Sequence, residues 1–187
     1  MLLRFISTIV VGLFTTVVSV TRAAEQTIAP GPYYATPSWD MTLPANVRFV
    51  VLSNFNNEAV LDRETGLVWE RYPPVPFVGD PSNHNWFGAN ERCDDLKLGN
   101  RKGWRLPTIA ELSSLLDPSV DPPGPTLPAG HPFVGVQSER YWTASPAMDS
   151  DPSVARQVDL SNGGATSVSP KNRARLIWCV RGGVLGQ

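Results

Sequence analysis

Residues 173–181 carry the plainest periodicity in the chain. Ala174, Leu176, Trp178 and Val180 alternate there with Arg173, Arg175, Ile177, Cys179 and Arg181. That two-residue period predicts a closing strand. Before it, residues 141–145, 155–160 and 165–169 are short runs with strand character, and Asn162-Gly163-Gly164 turns between the last two. Residues 48–52, 59–62 and 67–71 read the same way nearer the start. Asp62-Arg63-Glu64-Thr65-Gly66 is the turn of a hairpin between the second and third of these, with Gly66 free to take positive φ.

The period changes in the middle. Trp86, Ala89, Cys93 and Leu96 fall at i, i+3, i+7 and i+10, one apolar face of a helix over residues 86–98. Asn85 can cap it, and Gly99 suits the left-handed position past its end. A second helix over 108–116 presents Ile109, Leu112, Leu115 and Leu116. Thr108 and Glu111 form a Thr-x-x-Glu capping box at its start, and Pro107 holds the chain extended just outside. Trp104-Arg105-Leu106 reads as a short buried segment. From 118 to 138 prolines erase any period. So long an irregular stretch inside a compact domain is usually functional or disordered.

The start of the chain is of another kind. Arg4 precedes an apolar stretch over residues 5–20, and Thr21-Arg22-Ala23 offers small residues for cleavage. Residues 1–23 are therefore expected to be a secretory signal, too short and polar for a membrane anchor. Residues 24–46, broken by Pro30, Pro32, Pro37 and Pro44, read as a linker whose Tyr33, Tyr34 and Trp39 are expected to dock on the domain. The domain then occupies 47–187. No second hydrophobic segment follows, so no membrane span is expected in the mature chain. Loss of Arg4 and Arg22 takes the formal charge from −1 to −3, which leaves no global field to draw nucleic acid. The six tryptophans are expected to fill the core.

Export into an oxidising compartment and an even count of two favour a disulfide between Cys93 and Cys179. Such a bond would press the first helix onto the strand face that carries Ile177. The alternative is two separate buried thiols.

Several ordered motifs resemble one family. Asp62 through Trp69 is similar to its opening D-x-x-T-G-L-x-W, and Trp86 through Cys93 to W-x-x-A-x-x-x-C. Gly103 through Leu112 is similar to G-W-R-L-P-T-x-x-E-L. Tyr141 through Ser145, Val158-Asp159-Leu160 with Asn162-Gly163, and Cys179 through Gly182 resemble its closing strands. The family is that of the Lcl C-terminal domain, found in exported bacterial proteins. The resemblance covers about residues 59–183. It implies an α+β, C-type-lectin-like fold: two helices around a small twisted antiparallel sheet with long loops. It also implies a periplasmic, secreted or surface protein that binds a glycan or protein ligand, some relatives being adhesins. The Glu-Pro-Asn and Gln-Pro-Asp signatures of calcium-dependent sugar binding are missing from the sequence.

Candidate chemistry is sparse. His84 and His131 have no metal-ligand spacing, and four N or S zinc ligands are not available once the cysteines pair. No Gly-x-Ser-x-Gly elbow or phosphate-cradling glycine loop occurs. Asp149-Ser150-Asp151 reads as a turn rather than a calcium site. No cofactor is expected. A non-catalytic envelope binding module is the reading these observations favour. The alternatives are an enzyme on the formylglycine-generating-type fold and a structural or assembly role. The ligand is expected on irregular segments or on the edge of the last strands. There, Arg156, Lys171, Arg173 and Arg175 are expected to form a small basic patch that contacts an anionic glycan or surface polymer, since guanidinium groups bind such anions with paired donors. Solvated charge balancing Asp159 is the bland alternative.

Overall fold

The computed structural model describes residues 43–75, 84–147 and 151–183. The chain divides into residues 1–30 and 31–187, and everything described belongs to the second unit. The signal over 1–23 and all but the end of the linker over 24–46 lie outside the described residues.

Among the described residues, eight strands form two antiparallel sheets. The first has the order β1-β2-β3-β8-β4, from Phe49–Val51, Ala59–Asp62, Val68–Glu70, Val180–Arg181 and Trp104–Arg105. The second is β5-β6-β7, from Arg140–Pro146, Val154–Asp159 and Ala165–Pro170. A one-turn helix α1, Ala45–Arg48, precedes β1, where the sequence had suggested only linker and strand. The two main helices are α2, Trp86–Asp95, and α3, Ile109–Ser114. Both start as their caps predict. The Asn85 side chain accepts the Gly88 N–H, and Thr108 and Glu111 complete the capping box reciprocally. The fold is α+β with few helices, and it has two sheets where one was expected.

The central strands of the first sheet are buried on both faces. Val60 pairs with Trp69 and Trp69 with Val180, so all three point one way. They enter a core with Leu112 and Leu115 of the α3 region, and with Tyr141 and Trp178. On the other side, Ala59, Ile177 and Cys179 join Ala89 and Cys93 of α2, together with Trp104 and Trp142, in a second core. Four tryptophans are fully buried, as expected; Trp86 is only partly buried against the second core, and Trp39 lies outside the described residues. Trp178 is the hub of the first core. Its ring lies 4.9 Å from Phe133, 5.6 Å from Trp69 and 6.0 Å from Tyr141.

Three expectations need correction. Only Val180–Arg181 of the closing segment is a strand. Leu176 through Val180 do alternate, but between the two cores, and their backbone bonds are split between β5 and β3. Leu176 donates to the Arg140 carbonyl, Trp142 donates to that of Leu176, and Glu70 donates to that of Cys179. A continuous ladder therefore never forms. Gly99 has positive φ but does not end α2, which stops at Asp95; it turns the chain between Leu98 and Arg101 instead. The irregular stretch over 118–138 is packed rather than loose. Leu127 and Phe133 are buried in the first core, and Thr126 N–H and Val134 N–H donate to Leu160 and Arg71 carbonyls.

Candidate functional site

The polar residues of the sequence motifs are spent inside the fold. Asp62 is fully buried. Its carboxylate takes two bonds from Arg48, at 2.9 and 2.8 Å, and others from the Glu64 N–H and the Thr65 hydroxyl. Arg48 also reaches Glu64 and the Ser114 carbonyl. The aspartate thus shapes its own turn and ties β2 to α1 and α3. Arg105 makes a forked pair with Glu111, at 2.8 and 2.6 Å, and reaches the Gly182 carbonyl. Burial raises the Glu111 carboxyl, but Arg105 and the Thr108 N–H outweigh it and hold the pKa below its ordinary value. Arg92 on α2 holds Glu70 on β3, where burial wins and raises the carboxyl. Cys93 and Cys179 are bonded beside this pair.

The four cations singled out in the sequence do not share one place. Arg175 lies on one face of the second sheet, donating to Gln157 Oε1 at 2.6 Å and Ser169 Oγ at 3.1 Å. Arg140 is on that same face, paired with Asp159 at 2.9 Å. Burial, and then the charges of Arg140 and of exposed Arg173, lower the Arg175 pKa. The Glu139 carboxylate acts on Arg175 in the opposite sense. Arg140 was missed in the sequence; its signal was its place opposite Asp159 at the head of a strand. Arg156 alternates onto the opposite face of β6 from Gln157. Lys171 lies elsewhere again. Its Nζ sits 4.5 Å from the centre of the Trp86 ring.

Among the described residues, clefts open at α1 and around Lys171. The larger, about 620 Å³, lies between α1, the Asp62 turn and the end of α3, with Arg48, Glu64 and Asp117 on its walls. Two smaller ones flank Lys171. The two histidines have different surroundings. His84 abuts Gly88 at the start of α2, and His131 packs on Phe133 at 5.8 Å, with burial lowering its pKa. Among the described residues, no three His, Cys, Asp or Glu side chains are placed to hold a metal ion, and no helix is long and apolar enough to cross a membrane. Of the Asp149-Ser150-Asp151 turn, only Asp151 is described.

An α+β domain with two antiparallel sheets, a helix on each core, a disulfide from helix to sheet and motif residues consumed by internal ion pairs defines a class of compact, disulfide-clamped module. Residues 58–181 match the model of the Lcl C-terminal domain. The chain belongs to that family. A comparison with curated proteins gives no match.

Proposed function

We propose that this chain is an exported, non-catalytic binding domain of the bacterial envelope, built on a C-type-lectin-like fold. Its ligand would be a glycan or a protein partner. The support for a binding role is where the charges go. The buried carboxylates Asp62, Glu70 and Glu111 each face an arginine, so the motifs build scaffold rather than a reactive centre. The cations left at the surface gather instead. Arg140, Arg173 and Arg175 lie near Asp159 and Glu139, and the three cations outnumber these two carboxylates. Such a strip suits an anionic surface polymer, because guanidinium groups pair with carboxylate or sulfate.

Elution from immobilised heparin tests this reading. Wild-type protein should be retained, and Arg173→Glu should elute at lower salt, with Arg173→Glu/Arg175→Glu lower still. Equal elution of all three, with unchanged circular dichroism, would remove the strip as the binding surface.

A further inference from the structure

We propose that the surface at the start of α2 is a separate docking site for a short extended peptide in which apolar side chains flank an acidic one. Phe87 is the first sign. It lies one residue round the helix from Trp86, off the face that Ala89 and Cys93 bury, and it is 61% exposed. Its ring stands edge-on to Trp86 with centroids 5.4 Å apart. Pro146, Pro152 and Pro170 are exposed around it. A clustered apolar surface marks an interaction site more than isolated apolar residues do.

The second sign is a cation set on the rings. Lys171 Nζ lies 4.5 Å from the Trp86 centroid and 5.7 Å from that of Phe87. Asp151 lines the same cleft, where the Lys171 charge acts on it, but its carboxylate accepts from the Ser153 N–H and hydroxyl, and Lys171 forms no close ion pair among the described residues. Its charge is only partly offset by Asp151, and its ammonium can still pair with a ligand carboxylate.

The third sign is the space on either side. A cleft of about 300 Å³ lies between Trp86, Pro146 and Val154, and one of about 390 Å³ between Phe87, Pro152 and Pro170. Lys171 borders both. Pockets for whole small ligands begin near ~300 Å³, so each cleft suits a side chain better than a large molecule. Sugar hydroxyls would need polar partners. Here Ser145 Oγ accepts the Ile109 N–H, and Ser153 is committed to Asp151. What remains is chiefly proline and aromatic surface around one ammonium, with Asn172 and Asp151 as the other exposed polar residues of the walls. Extended peptides use such aromatic-lined grooves.

The test is a titration of the ¹⁵N-labelled protein with acetyl-Pro-Leu-Glu-Leu-Pro-amide and with its Gln counterpart. The Trp86 indole N–H, which donates to the Thr143 carbonyl at 2.9 Å, is the reporter. The Glu peptide should shift it saturably and bind about fivefold tighter than the Gln peptide, as a partly exposed charge pair allows. Phe87→Ala should weaken binding about tenfold, the loss of one aromatic anchor. Lys171→Met keeps the stem on Trp86 and should erase the preference for Glu. Arg173→Glu should leave peptide binding unchanged, whatever it does to heparin retention. No saturable shift with either peptide would overturn the proposal, as would equal affinity for both. So would a heparin oligosaccharide that shifts the Trp86 signal where the peptides do not.

Discussion

Arg92 on α2 grips the carboxylate of Glu70 on β3 with both terminal nitrogens, and the same guanidinium lies against Sγ of Cys179. The Cys93–Cys179 bond and this ion pair therefore fasten one helix to one sheet face side by side. The covalent clamp acts on the unfolded chain by closing a loop of 86 residues. The ionic clamp acts only in the folded protein.

Cys93→Ala/Cys179→Ala should lose about 4–5 kcal/mol by the chain-entropy model. That is a large share of the ~5–15 kcal/mol typical of a domain. The urea midpoint should drop sharply, while Arg92 keeps α2 in place in the absence of denaturant. Adding Arg92→Met should then abolish the residual cooperative transition. An unchanged midpoint in the double alanine variant would contradict this account.

Glu111 and Glu70 should respond to acid in opposite ways. The folded pKa of Glu111 is depressed, so its contribution is present above the unfolded value and lost as pH falls through the folded one. Glu70 is raised, so the folded state holds that proton more tightly. Its contribution is present below the unfolded value and lost as pH rises through the folded one. Urea midpoints between pH 7 and pH 3 read this out directly. Glu111→Gln should lose less stability on acidification than wild type does, and Glu70→Gln should lose more. Displacement of both variants in the same direction would refute the assignment.

Two glycines with positive φ should differ in their tolerance of alanine. A Cβ at Gly66 meets nothing within 4 Å, whereas one at Gly99 would lie 2.3 Å from Phe55 Cα. Gly66→Ala should cost only the left-handed backbone penalty, about 1–2 kcal/mol. Gly99→Ala adds a backbone clash that displaces the turn after β1, for roughly 2–4 kcal/mol in total. Thermal denaturation of the two variants gives the order, and a reversed order would show that the Phe55 contact yields easily.

Local rules were legible wherever a residue acts on its own neighbours. The Thr108–Glu111 box, the Asn85 cap and the Gly66 turn follow from chemistry within a few positions, and all are present. The Cys93–Cys179 pairing was legible because only two cysteines exist. What the sequence hid was burial on both sides. The alternation over 173–181 looks like a half-solvated strand, and only the packing of two cores shows why both sets are apolar from Leu176 onward. Leu127 and Phe133 carry no period, so their place in the first core depends on contacts far along the chain. The surface cations read as one group because they lie on neighbouring expected strands or at their ends. Strand parity sends Arg156 to the other face, and the rings of α2 draw Lys171 away.

The segment from Leu176 to Val180 supplies side chains to both interiors, and it follows every other core residue in the described chain. During synthesis the two interiors must therefore wait for the same five residues. Before they emerge, Trp69 and Phe133 lack their central ring, Cys93 lacks its partner and β3 lacks its neighbour in the sheet. A nascent chain stopped short of Leu176 is not a smaller version of the domain but one with neither half closed. The position of one short segment thus sets the moment at which both interiors can close.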